Sequence, residues 1–154
     1  MLRGRHEHIV DPKGRIAVPA QFRQVLRKEF GGDRVVVTKH LTDPCLVVYP
    51  VKSWQAFEQR IAQLPTFDRK AKLIRRIYVG GAQDCDLDKQ GRILLRADLR
   101  SEAGIEGEVI WNGQISFAEI WSKAAFEANV LPVKQQLEAG DMPELEEALA
   151  ELGI

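Results

Sequence analysis

Two stretches of this chain repeat one another. Residues 11–23, DPKGRIAVPAQFR, align without gaps on residues 88–100, DKQGRILLRADLR, and six of the thirteen positions are identical: Asp11 with Asp88, Gly14 with Gly91, Arg15 with Arg92, Ile16 with Ile93, Ala20 with Ala97 and Arg23 with Arg100. Farther along, Tyr49 and Trp54 of YPVKSW fall against Trp121 and Phe126 of WSKAAF. One supersecondary unit is therefore used twice. In 154 residues two small modules have no room for separate cores, so each must bury its open surfaces against the other.

Each copy reads as strand, turn, strand, short helix, turn and strand hairpin. In the first, Asp11-Pro12-Lys13-Gly14 places Asp, Pro and Gly at the first, second and fourth positions of a type I turn, and Asp88-Lys89-Gln90-Gly91 keeps the Asp and Gly. Arg15 and Arg92 follow directly, at the start of the strands IAV and ILL, so both project from a tight loop at the end of a sheet. Pro19 suits the first turn of a helix on which Phe22, Val25, Leu26 and Phe30 recur at helical spacing before Gly31-Gly32 stops it. The runs VVVT and CLVVY, joined through Leu41-Thr42-Asp43-Pro44, form a buried hairpin, and the second copy repeats it with EVIW and SFAEIW around Asn112-Gly113. Between the copies two helices are expected, Lys52 to Leu64 and Phe67 to Gly80, split by Pro65 with Thr66 as N-cap.

A single such unit exposes both sheet edges and one apolar face, so two should pair around a pseudo-twofold axis. The expected fold class is α+β, mainly β: two β-α-β-β repeats closing as one β-barrel, with linking helices and a C-terminal helical tail. The expected divisions are a first repeat over residues 1–54, a helical linker over 55–80, a second repeat over 81–129 and an acidic tail over 130–154.

The formal net charge is zero, but the ends differ. Residues 130–154 carry one base, Lys134, and six acids, which leaves 21 bases and 16 acids of the chain's 22 and 22 for residues 1–129. Residues 1–34 hold eight bases against four acids. The first module is locally basic, as a phosphate-contacting surface would be, although a merely solvated face has the same composition.

Other classes of function find little support. Cys45 and Cys85 stand far apart without a CxxC partner, and read as a reduced structural pair. His6, His8 and His40 supply at most two clustered ligands and read as surface or strand-face histidines, so no metal and no cofactor are expected. There is no Walker loop, no Gly-x-Ser-x-Gly and no His-Glu-x-x-His. An enzyme is not expected. MLRGRHEHIV lacks the apolar core of a signal peptide, and no stretch reaches the ~20 apolar residues of a membrane span, so a cytosolic chain without a membrane partner is expected.

The paired motifs DPKGRIAVPAQFR and DKQGRILLRADLR, each beginning Asp-x-x-x-Arg, resemble those of the MraZ family, whose members carry tandem SpoVT-AbrB (swapped-hairpin) domains. CLVVYP with Trp54, and AEIW, look like the family's remaining landmarks, and the similarity covers about residues 1–129. The resemblance implies a pseudo-twofold swapped-hairpin barrel in a cytoplasmic, nucleoid-associated transcription regulator. It implies binding of double-stranded DNA at short direct repeats upstream of the division and cell-wall gene cluster, by homo-oligomeric rings of about eight or more subunits. Direct repeats suit a head-to-tail ring better than a twofold dimer does.

Carried onto this sequence, the family's motif falls on Asp11 and Arg15, and on Asp88 and Arg92. Arg15 is expected to reach guanine edges or phosphates, with Asp11 capping the turn or orienting the guanidinium, because arginine offers guanine two parallel donors. Lys13, Lys89, Arg3 and Arg5 are expected to act mainly as phosphate clamps. Arg96 stands where the first copy has Pro19 and either adds a DNA contact or loosens the helix start. The rival reading is an antitoxin-like protein-interaction module using the acidic tail, where Leu145, Ala148, Leu149 and Leu152 share a helical face.

Overall fold

The computed structural model describes residues 1–154. The first copy runs β1 (Arg5–Ile9), β2 (Arg15–Ala17), α1 (Ala20–Glu29), β3 (Arg34–Lys39) and β4 (Leu46–Pro50). The second runs β5 (Gln83–Asp86), β6 (Arg92–Leu94), α4 (Ala97–Ala103), β7 (Glu108–Gly113) and β8 (Ala118–Ser122). Between them lie α2 (Val51–Ala62) and α3 (Arg69–Ile74), the latter continuing as a π-helical turn, Arg75–Val79. The tail holds α5 (Lys123–Asn129), α6 (Leu131–Glu138) and α7 (Pro143–Glu151). No helix is long and apolar enough to cross a membrane.

Six strands form one antiparallel sheet in the order β1-β7-β8-β4-β3-β5, and β2 pairs with β6 in a separate two-stranded ribbon. That order reads the same from either end when the copies are exchanged, so a pseudo-twofold axis relates them. The first strand of each copy pairs with the third strand of the other, β1 with β7 and β5 with β3. The axis passes through the two pairs of equivalent residues at the ladder centres, Ile16 opposite Ile93 and Val47 opposite Glu119. Neither copy has a complete sheet of its own. The mixed α+β architecture is as the sequence predicts, and the exchange of strands between repeats is what the family resemblance implies.

The main core lies between the sheet and the ribbon. Strand period two turns Ile16 and Ile93 inward, both fully buried, against Val35, Val37, Val109 and Trp111 of the sheet. Helices α1 and α4 close this core with Phe22 and Leu26, and with Leu99 and Ala103, four residues apart on each helix. Phe22, Leu26 and Leu99 each contribute roughly 1.5–3 kcal/mol by leaving water. On the outer face of the sheet, α2 and the π-helical turn seat Trp54 and Tyr78 against Val36 and Val47, and α5 seats Phe126 against Ile110 and Trp121.

Two local expectations are corrected. Asn112-Gly113 is the end of β7, and the turn falls on Gln114–Phe117, closed by Gln114 N donating to Phe117 O and with Ile115 at φ 70°. Gly113 is needed for close approach instead: a Cβ there would sit 2.6 Å from Arg3 Cα, and Gly113 N donates to Gly4 O. The N-cap of α3 is Asp68, whose carboxylate accepts from Ala71 N at 2.9 Å, and Thr66 lies outside the helix. The helix expected to start at Phe67 therefore begins at Arg69.

Candidate nucleic-acid interface

The two repeated turns are built alike. Asp11 Oδ1 accepts from Lys13 N and Arg15 N, both at 2.9 Å, while Gly14 N donates to Asp11 O and Asp11 N to Arg15 O. Asp88 makes the same set with Gln90 N, Arg92 N and Gly91 N. Asp is the residue that can do this, because its short carboxylate reaches amides two and four residues on. The donated Arg15 and Arg92 amides are the main cause that holds Asp11 and Asp88 below the usual carboxylate range.

The second carboxylate oxygen of each Asp accepts from the Nε of its arginine, Asp11 from Arg15 at 2.6 Å and Asp88 from Arg92 at 2.9 Å. Docking through Nε leaves the Nη groups at the outer end of the side chain. Both Nη groups of Arg15 are without protein partners; one of Arg92 donates to Gln90 Oε1 at 2.7 Å. Both guanidinium groups are thus oriented from behind; that of Arg15 is open in front, the disposition that a phosphate or a guanine edge requires, and that of Arg92 keeps one Nη free beside the Gln90 contact.

Ribbon pairing brings the two arginines to one face. Arg15 stands opposite Leu94 and Ala17 opposite Arg92, so these four side chains share the face opposite to Ile16 and Ile93. Arg15 and Arg92 are diagonal neighbours, about 7–8 Å apart at Cα. Leu94 is 56% exposed between the turns, and Lys13 and Lys89 are exposed at their tips.

Each turn is also supported by the opposite repeat. The Arg100 guanidinium lies against Gly14, and that of Arg23 against Gly91, so close that a Cβ on either glycine would fall within 2.7 Å of it. Arg23 donates to Val18 O and Arg100 to Leu95 O, both at 3.2 Å. Leu95 N donates to Gly14 O, and Val18 N to Gly91 O. Sequence reasoning notes the identity of Arg23 and Arg100 but assigns them no task; their repetition was the available signal, and the crossing contact is visible only in the fold.

The remaining predicted residues lie elsewhere. Arg5 faces the outer side of the sheet, where its guanidinium carbon stands 5.0 Å from the Phe126 ring and its Nε 3.4 Å from Asn112 Oδ1. Arg3 is exposed beside Gly113. Both precede or open β1, whereas the first turn follows its far end, roughly 20 Å away along an extended strand. Arg96 is held by Asp98 at 2.9 and 3.1 Å and donates to Gly81 O at 3.0 Å. Its amide donates to Gln83 Oε1, so it ties the start of α4 to the segment entering β5.

The cysteines and histidines show no grouping of His, Cys, Asp and Glu able to hold a metal. Cys45 and Cys85 are buried free thiols, each pushed up to about 12 by burial. His6 lies edge-on to Phe22, with ring centroids 5.0 Å apart.

Comparison with known proteins follows the same division into halves. The family model described as "MraZ protein, putative antitoxin-like" matches residues 1–77 and 78–140. A transcriptional regulator MraZ of Lachnoclostridium phytofermentans is 39% identical over 154 residues, covering 100% of this chain and 99% of that protein. Its namesake in Thermoanaerobacter pseudethanolicus is 45% identical over 127 residues, 82% of this chain and 85% of that protein. The one in Mannheimia succiniciproducens is 39% identical over 145 residues, 94% and 93% of the two chains. With both repeats matched and relatives aligned along nearly their whole length, this chain belongs to the MraZ family.

Proposed function

We propose that this protein is a cytoplasmic, nucleoid-associated transcription regulator that binds double-stranded DNA with the outer face of the β2–β6 ribbon. The observation that carries the reading is the pair of carboxylate-oriented arginines, Arg15 and Arg92, on one face. A two-stranded ribbon fits the major groove, where arginine discriminates guanine and an apolar side chain such as Leu94 can meet a thymine methyl. Lys13 and Lys89 flank that face as phosphate clamps. Arg3 and Arg5 serve DNA only beyond the first contact patch, and Arg96 acts mainly within the fold. Asp11, Asp88, Arg23 and Arg100 position the two turns. The relatives' shared name, transcriptional regulator, supports the same role.

The site recognised is a set of short direct repeats in the promoter region of the division and cell-wall gene cluster, and the binding form is a homo-oligomeric ring. Repeated identical ribbons around a ring match repeated identical boxes along DNA. A second reading, an antitoxin-like module working through its acidic tail, is favoured by the absence of any buried residue in α6 or α7, but leaves the duplicated arginine turns without a task.

Fluorescence-anisotropy titration with the protein's own upstream DNA, against scrambled DNA, tests the proposal. Wild type should prefer its own region, and log affinity should fall linearly with log salt. Arg15→Ala and Arg92→Ala should each lose about 1–3 kcal/mol, roughly ten- to hundredfold, and relax the preference. Removal of residues 130–154 should spare operator contact by the ribbon. Equal binding of both DNAs by wild type and variants would sink the reading.

A further inference from the structure

The tail and the interdomain linker are matching opposites. The spacing that separates Tyr49 from Trp121 also separates Leu73 from Leu145 and Ile77 from Leu149, so α3 with its π-helical turn and α7 are positional counterparts in the two halves. On the linker, Leu73 and Ile77 are 41% and 63% exposed, and Phe67 just before the helix is 92% exposed. Around them stand Arg69, Lys70, Lys72 and Arg76, all exposed, outnumbering the nearby acids, Asp68 and, beside Ile77, Asp98 and Glu102 of α4. On the tail, Leu145 and Leu149 are half-buried and Leu152 is 74% exposed, bordered by Glu144, Glu146, Glu147 and Glu151. Charge is reversed at equivalent positions, Lys72 with Glu144 and Arg75 with Glu147.

We propose that α7 of one copy docks on α3 and the π-helical turn of a neighbouring copy, apolar stripe on apolar stripe and acidic flanks on basic ones. The inference rests on the ring reading above and names its interface. Within one chain α7 makes no extensive contact with α3 or the π-helical turn, and no residue of α7 is buried. The basic ribbon face is the poorer match for α7, because Leu94 is its one exposed large apolar side chain. Each copy offers a tail and accepts one, so copies can follow head to tail until the series closes into a ring; a reciprocal twofold pair would use the same surfaces, and a wild type that stops at a dimer would overturn the ring.

Native mass spectrometry of the full chain reads the assembly. Lys72→Glu/Arg76→Glu and Glu144→Lys/Glu147→Lys should each cut the assembled fraction at least tenfold, with circular dichroism unchanged, and the chain carrying all four should reassemble. Oxidised Leu73→Cys/Leu149→Cys should run as a ladder of covalent multimers; Cys45 and Cys85 are buried and leave the new thiols without competitors. An internally bridged monomer would overturn the proposal in favour of a folded-back tail. Wild type and both charge variants equally assembled would overturn the interface while leaving the ring. A monomeric wild type would overturn both, and its anisotropy on upstream DNA would still report the ribbon reading separately.

Discussion

Gly14 and Gly91 meet two demands at once. Their φ values of 88° and 74° lie in the left-handed region, and the space a Cβ would take is filled by Arg100 and Arg23. An added methyl would displace the guanidinium from its carbonyl as well as strain the turn. Gly14→Ala and Gly91→Ala should each cost about 1–3 kcal/mol. At roughly 2–4 °C per kcal/mol for a chain of this size, thermal melting should show it; unchanged melting temperatures would mean that the turns are not held from behind. The Asp-x-x-x-Arg turn was fully legible in sequence, because a carboxylate bonding amides two and four residues on is a local event. That Arg23 and Arg100 brace the opposite turn was not, since the contact crosses between repeats.

At the scale of elements, one buried hydrogen bond ties the π-helical turn to the sheet. Thr38 Oγ1 in β3 donates to Tyr78 O at 2.8 Å, and Thr38 is fully buried. Thr38→Val keeps the shape and leaves a buried carbonyl without its donor, which should destabilise the protein by about 1–3 kcal/mol. Urea unfolding followed by tryptophan fluorescence would report it as a lower midpoint at unchanged slope. A midpoint equal to wild type would show that the carbonyl needs no partner. The helix–helix break at Pro65 was readable, yet its cap was misplaced by two residues, because Thr66 and Asp68 are both competent caps and only the path of the chain selects one. Asn112-Gly113 misled for a similar reason: it is a strong turn signal locally, but the approach of the Arg3 backbone holds it in strand pairing.

For the molecule as a whole, acid stability is tied to the core-facing side of β1. Burial, with Coulombic contributions from His6 and Arg23, holds His8 below its ordinary value of 6.5. The unfolded chain therefore takes up this proton first as pH falls. Stability is full above about 6.5 and declines between that value and the lower folded one. Asp11, Asp86, Asp88 and Asp98, all held below 3.8, act only in more acid solution, where protonation removes their contribution. Urea midpoints at pH 7.5 and 5.5 should differ more for wild type than for His8→Gln; equal losses would clear His8 of the effect.

The residues alone determine the strands, the two Asp-to-Gly turns, the stretches that become helical and the duplication, because periodicity, φ preference and side-chain reach act over a few positions. They also place an arginine after each turn. Only the tertiary structure decided which strands pair, since the same alternation satisfies a sheet within a copy or between copies. Exchange won because each copy's first strand finds its ladder on the other copy's third, and β2 finds β6. That choice puts Arg15 and Arg92 side by side, Arg23 and Arg100 behind each other's turns, and Arg5 on the far side of the sheet.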